Sequence, residues 1–283
     1  MSCIKGGGQT VKKLTSRALS ALGYVFFIGL ALLMLLPFAY MLVCSLQETY
    51  SPYLISFDLA DYTLDNFRKT FAVSGFSLWL RNSIFISLSG VFLTLLVCSL
   101  GAYAFAKKRF AGSNALMGFL MLSMAIPFTA TVVPLWLMMG KLHMIDHYFP
   151  LIAPIPSMLG LLLIRQAILS LPNELFESAR VDGCRDLRIY WSIVLPVIKP
   201  ILITVAILYF ARSWNSFLWP LIISNTDATR TLPVGLASIQ GTHTINYGIT
   251  MAGALMNFLP PFLVYVFFQR YFIAGIAGTG IKN

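Results

Sequence analysis

The sequence predicts an all-α membrane protein with six transmembrane helices, and three observations carry that prediction. Of its 283 residues, 58% are hydrophobic and only 11% are charged, against about 25% charged in soluble domains; the mean hydropathy is +0.80. Residues 18–46, 82–106 and 110–140 contain no Asp, Glu, Lys or Arg, and each run is long enough to cross about 30 Å of hydrocarbon. The charges fall between the apolar runs. The net charge of +10 therefore reads as positive charge held at a membrane surface, not as a nucleic-acid interface. Backbone exposed to lipid finds no water partners, so the spans must be helices, and no alternating barrel pattern is present.

The first span, near residues 20–45, follows Lys12, Lys13 and Arg17. It is too long for a cleaved signal segment, whose apolar region runs about 7–15 residues, and reads as an uncleaved helix. Spans two and three lie near 83–106 and 115–139. The fourth, near 148–170, is interrupted by Pro150, Pro154 and Pro156 and carries Arg165; the fifth, near 195–221, carries Lys199 and Arg212; the sixth, near 247–270, ends at Arg270. With the N-terminus in the cytoplasm, thirteen of the 20 basic residues fall in cytoplasmic segments, among them Lys107, Lys108, Arg109, Arg180, Arg185 and Arg188. Only Arg68, Lys69, Arg81, Lys141 and Arg230 fall outside. That bias in short loops predicts both termini to be cytoplasmic. Residues 1–60 then comprise a tail, the first helix and the start of an outer loop, and residues 61–283 form a core of five helices.

Several chemistries lack their residues. No acid lies in the body of a span, whereas carriers driven by ions or protons usually keep carboxylates or histidines there. His143, His147 and His243 all fall in predicted outer loops, and His143, Asp146 and His147 read as a polar loop tip more readily than as a metal site, because no H-E-x-x-H context surrounds them. No catalytic cluster is expected. Gly6-Gly7-Gly8-Gln9-Thr10 has no Lys-Ser/Thr pair after its glycines, so no P-loop is present and no cofactor or metal is expected on this chain. Cys3, Cys44, Cys98 and Cys184 have neither zinc nor disulfide spacing and read as free thiols.

The largest polar segment expected in the cytoplasm runs from about residue 171 to 196, between spans four and five. Pro172 suits a first helical turn, and Glu174 there complements the helix dipole. Leu175, Phe176, Ala179 and Cys184 give a narrow apolar side, while Glu177, Arg180 and Asp182 are polar. Gly183 can adopt positive φ and end the helix, and Asp186 can cap a second short helix leading to Ile193 and Pro196. These features predict a helix–turn–helix elbow on the membrane surface. From the residues alone it could equally be a coupling element or an interfacial connector without a partner.

Glu177-Ser178-Ala179, three residues, Gly183, nine residues and then Ile193-Val194-Leu195-Pro196 resembles the E-A-A-x3-G-x9-I-x-L-P (EAA) motif of the permease subunits of binding-protein-dependent ABC importers. Only Ser178 departs, replacing Ala with another small residue. Asn82-Ser83, Ala102-Tyr103-Ala104-Phe105-Ala106, Gln166, the run Trp214 to Leu221, the run Thr231 to Leu236 and the tail from Gln269 to Lys282 extend the likeness over roughly residues 62–283. Together they resemble the carbohydrate-uptake, maltose-transport-type branch, specifically its shorter six-helix partner. The resemblance implies a type I importer (MetI-like) permease fold in a bacterial or archaeal inner membrane. It implies a second homologous permease chain, two cytoplasmic ATPases holding ATP and Mg, an external substrate-binding protein and a sugar or oligosaccharide substrate. It also implies that the elbow is a coupling helix seated in an ATPase cleft. In that role Glu174, Glu177 and Asp182 offer polar contacts, Ser178 and Ala179 permit close docking, Gly183 sets the angle, and Ile193, Leu195 and Pro196 anchor the elbow to span five.

Candidates for the sugar path are Tyr209, Arg212, Trp214, Asn215, Trp219 and Asn257, since aromatic faces suit the C–H faces of sugar rings and Asn or Arg can bond hydroxyls. Packing and interface anchoring explain the aromatic residues as well. The outer segment 222–246, with Asn225, Thr226 and Gln240, resembles the loop that reaches toward a docked binding protein. Alternative readings are an importer of a sugar phosphate or glycerophosphodiester, a stand-alone carrier, and an intramembrane enzyme.

Overall fold

The fold is that of a computed structural model, which describes residues 6–51, 53, 56, 58–108, 110–240 and 246–280; the side chains of 6–19, 59, 240 and 272–280 lie outside that description. The regular structure among the described residues is helical, with one isolated antiparallel bridge, Gln47 to Tyr62. The chain forms two compact units, Met1–Lys69 with Thr244–Leu255, and Thr70–His243 with Met256–Asn283. This division cuts the sixth span, which the expected boundary at residue 60 did not.

The first unit contains α1 (Gly6–Ser45). Its apolar part, Ser20–Ser45, is long enough to cross a membrane and is unburied within the chain except at its end, where Cys44 and Ser45 are buried. Beyond it the polypeptide turns on polar side chains. Asn66 Nδ2 donates to the carbonyls of Ser45 (3.1 Å) and Gln47 (2.7 Å). A Cβ on Gly248 would lie 2.3 Å from the Gln47 carbonyl, so only glycine fits there. α2 (Asp65–Ala72) begins in this unit.

The second unit is organised on α3 (Phe76–Lys107), about 48 Å long at 1.5 Å per residue. Its pattern is the inverse of a soluble helix. Ser83, Ser87, Gly90, Thr94, Cys98, Ser99 and Ala102 are buried at spacings of one, three and four residues, while Phe85, Leu88, Phe92 and Val97 are exposed. Small and polar residues let helices approach closely where lipid provides the apolar surroundings, so the exposed face is a lipid face. α3 packs against α6 (Tyr148–Ile152), α7 (Met158–Leu169), α11 (Lys199–Trp214) and α13 (Leu232–Gln240).

The expected spans near 115–139, 148–170 and 195–221 are not single helices; Pro127, Pro154 with Pro156, and Pro196 account for three of the breaks, whereas the one between Trp214 and Leu218 contains no proline. α4 (Ser113–Leu122) with its 3-10 extension to Ala125 meets α5 (Phe128–Lys141) at 100°. Pro127 supplies the break, because a residue before proline is driven out of the α region and Ile126 is extended at ψ 115°. Pro154 and Pro156 separate α6 from α7. The second strut of the elbow, α9 (Asp186–Ile189), a π turn over Tyr190–Val194 and α10 (Leu195–Val197), meets α11 at 77°. Pro196 has no N–H to donate, and the ladder before it loosens to the Leu195 N–H to Tyr190 carbonyl bond. α12 (Leu218–Ile223), α13 and α14 (Tyr247–Gly280) complete the chain. Among the described residues three helices are long and apolar enough to cross alone, and up to six crossings result if each bent pair counts as one.

Candidate functional site

The elbow is present where the motif placed it. α8 (Glu174–Val181) leaves α7 at 76°. Glu174 and Glu177 fall in its first turn, where carboxylates favour the dipole. It ends in a Schellman motif: the Cys184 N–H bonds the Ala179 carbonyl (2.9 Å) and the Gly183 N–H bonds the Arg180 carbonyl (3.0 Å). Gly183 sits at φ +75° with open space where a Cβ would be. Glycine is therefore needed there for backbone conformation, not for clearance.

The elbow's underside belongs to the transmembrane core. Phe176 and Ala179 of α8 and Ile189, Tyr190 and Val194 of the second strut share one apolar cluster with Cys98, Ala102 and Tyr103 of α3, Ile164 and Ile168 of α7, and Val205 and Tyr209 of α11. The Tyr190 hydroxyl lies 2.6 Å from Ser99 Oγ, and its ring is 5.6 Å from that of Tyr103. Lys107, at the end of α3, donates to Asn173 Oδ1 (2.9 Å) and the Leu171 carbonyl (3.3 Å) and sits 4.1 Å over the Phe176 ring. Lys108 pairs with Asp186. Two cations at one helix end thus grip both struts.

The outer face of the elbow is unfilled. Glu174, Glu177, Ser178, Asp182 and Pro196 are exposed, as are Val181 (87%), Leu187 (67%) and Trp191 (57%). Ile193 and Leu195 are half-buried against the core. Ala179 is a correction: it is buried against the chain's own body, so its small size serves close approach of α8 to the core and not an outward docking contact. The buried anchors are Ile189, Tyr190 and Val194, which the motif reading passed over; the aromatic pair Tyr190-Trp191 was the available signal.

The proposed sugar-path residues separate into two groups. Tyr209 is fully buried; its hydroxyl meets Ser157 Oγ and accepts from the Gly160 N–H (2.9 Å), joining α11 to α7. Trp214 is buried and donates to the carbonyl (2.9 Å) and Oδ1 (3.1 Å) of Asn257. Tyr209 and Trp214 are corrected to packing roles, since they are buried with their polar atoms bonded inside the core; Asn257 is half-buried and spends its two oxygens on Trp214. Asn215 is exposed, with its amide turned back to the Ala211 carbonyl (3.0 Å). Arg212 and Trp219 line a cavity of about 110 Å³, together with Ile86, Phe128, Leu151, Pro154, Ile155, Ser213, Ser216, Pro220 and Thr231. The Trp219 ring is held by its N–H bond to the Pro150 carbonyl (2.8 Å).

The other end of α3 is tied down by a second polar knot. Asn82 Nδ2 donates to the carbonyls of Asp227, Ala228 and Arg230 (3.2, 3.0 and 2.9 Å), Trp79 donates to Asp227 Oδ1 (2.9 Å), and the Tyr148 hydroxyl donates to Asn82 Oδ1 (2.8 Å). Asp146, at φ +63°, accepts from the backbone N–H groups of Asn225 and Thr226 and from the hydroxyls of Thr226 and Thr229. Asp146 thus binds a loop, and no group of three or more His, Cys, Asp or Glu gathers among the described residues. His243 lies outside them.

The family described as the inner membrane component of binding-protein-dependent transport systems matches residues 97–278, which include the last third of α3, the elbow and most of α14. This chain belongs to that family. The arabinooligosaccharides transport system permease protein of Halalkalibacterium halodurans is 36% identical over 96% of this chain and 100% of its own length. The lactose transport system permease protein of Rhizobium radiobacter is 30% identical over 88% and 92%, and the trehalose/maltose transport system permease protein of Thermococcus litoralis 30% over 90% and 94%. A chain of a bacterial ABC transporter that imports the acidic polysaccharide alginate has the same fold, with a TM-score of 0.79, 24% identity and coverage of 91% of this chain and 98% of that one.

In this transport component the Asp146 knot has a definite pH response. Burial alone would push the carboxyl up, but the hydroxyls of Thr226 and Thr229 and the N–H groups of Thr226 and Asn225 outweigh it and hold the carboxyl below its usual range. A lowered folded value stabilises above the unfolded value and is lost as pH falls through the folded one. Asp146→Asn is therefore expected to lower the melting temperature by a margin that is constant from pH 8 to 5 and closes only below about pH 4. Melting curves of both proteins across that range check it; a margin that varies near neutrality contradicts the assignment.

Proposed function

We propose that this chain is one of two permease subunits of an ABC importer for a sugar or oligosaccharide. The observation that carries the reading is the elbow: its outer face exposes Glu177, Asp182, Leu187 and Trp191, while its underside is continuous with the transmembrane core. A surface of that kind transmits movement from a partner docked on one side to helices on the other. The partners are two cytoplasmic ATPases, which hold ATP and Mg, a second homologous permease chain and an external substrate-binding protein. Both termini lie in the cytoplasm, with the elbow on that side, in agreement with the distribution of lysine and arginine.

ATPase closure displaces α8 and the second strut. Because Tyr190 and Phe176 are packed against α3, α7 and α11, the displacement shifts the populations of two core arrangements, one open to each side of the membrane. The sugar class follows the relatives named for arabinooligosaccharides, lactose and trehalose/maltose.

Purification of the chain from its native membrane in mild detergent tests the assembly. Co-purification of a second permease and an ATPase whose hydrolysis a sugar stimulates is the expected result. A chain that stays alone after crosslinking, or that transports after reconstitution without ATP, overturns it.

A further inference from the structure

We propose that the cavity around Arg212 is an anion subsite that selects the carboxylate or phosphate of an acidic saccharide over a neutral sugar. The inference rests on the import reading and names the substrate class for it. Arg212 lies in the last turn of α11, a helix with no other charge after Lys199. It has no ion pair or hydrogen bond with any described residue. A guanidinium does not lose its proton in a protein; Arg212 is exposed at the mouth of the cavity, and an ionisable residue within an apolar membrane helix faces a water-filled or ligand-bearing path. No acid lines the cavity, so nothing among its walls neutralises the charge.

The walls suit such a ligand. Ser213, Ser216 and Thr231 line the cavity beside the arginine. Trp219 and Phe128 meet edge to face, with centroids 6.2 Å apart, and form an apolar side. Trp219 is fixed by Pro150 and cannot swing to fill the space. The volume of 110 Å³ holds several water molecules. It admits a carboxylate or phosphate group beside the arginine. The substituent would enter while its ring stays in the wider path, where a planar guanidinium binds an anionic fork in two-point fashion.

The test uses the complex purified from the native membrane and reads tryptophan fluorescence, with Trp219→Phe as the check that the signal comes from this wall. Tri-galacturonate is titrated against its carboxyl-reduced neutral counterpart, and glucose 6-phosphate against glucose. The expected result is a midpoint roughly tenfold lower for the anion in at least one pair. The pair that responds tells a carboxylate from a phosphate. Arg212→Gln should bring the two midpoints of that pair within about twofold, and Arg212→Lys should keep the order. Equal midpoints in both pairs, or a preference retained in Arg212→Gln, overturn the proposal. Failure to co-purify an ATPase would remove the import reading and leave these titrations readable, so the two failures are distinct.

Discussion

Gly183→Pro is expected to leave the chain in the membrane and to separate ATP hydrolysis from uptake. Gly183 occupies φ +75°, which proline, locked near −65°, cannot adopt. The substitution also removes the N–H that bonds the Arg180 carbonyl. The Schellman closure then fails, and the angle between the two struts is lost with it. The spans are untouched, so insertion and protein yield should match wild type. Coupling free energies of about 1–3 kcal/mol correspond to 5–150-fold effects, and loss of the elbow angle should cost uptake roughly tenfold or more while basal ATP hydrolysis persists. Uptake and hydrolysis measured on the same proteoliposomes decide the matter. Gly183→Ala is the milder companion: nothing lies within 4 Å of the added Cβ, so only the left-handed backbone penalty of about 1–2 kcal/mol applies. Normal uptake by Gly183→Pro would end the elbow's role. Glu177→Lys tests the exposed face independently, because Glu177 is exposed and its reversal should weaken ATPase docking without disturbing the fold.

Tyr190→Ala is expected to be the most damaging single truncation in the elbow. The ring is 1% exposed, and its removal leaves a cavity at the centre of the cluster that joins the struts to α3, α7 and α11. Truncations of large buried aromatics cost about 3–5 kcal/mol, and the Ser99 hydroxyl loses one partner while keeping the Leu95 carbonyl. A lowered melting temperature and faster proteolysis within residues 174–197 are the expected readouts. Tyr190→Phe keeps the ring and loses only the hydroxyl bond, worth about 0.5–1.5 kcal/mol. If Phe and Ala behave alike, the hydrogen bond dominates; if Ala alone is severe, packing does. A Tyr190→Ala protein as stable as wild type would show that the elbow is not held by this contact.

The broken spans show what periodicity leaves out. The run from residue 110 to 140 satisfies every hydropathy criterion for one helix, yet a 100° turn divides it. Pro127 was visible, but a proline inside an apolar run can equally kink a helix or end it. The outcome depends on whether neighbouring groups satisfy the freed backbone, and those neighbours come from distant parts of the chain. The same holds for the aromatic residues after span five. Trp214 and Trp219 look equivalent in sequence, five residues apart. One is spent on Asn257 and the other forms a cavity wall, because α12 starts between them and turns the chain.

Hydropathy and charge placement by themselves determined that this chain is an all-helical membrane protein, since burying peptide groups in lipid allows few other solutions. The spacing from Glu177 to Pro196 determined the elbow and its family, because a helix stop at Gly183 and a proline before α11 impose that shape locally. Only the tertiary structure decided which elbow residues face inward. Ala179 is turned to the core and Val181 to solvent by the angle at which α8 leaves α7, and no local preference sets that angle. It also decided that Arg212 lines a cavity free of acids, since that depends on where α3, the α6–α7 connection and α12 come to rest around it: an unpaired charge is a property of its neighbours, and these are brought together only by packing.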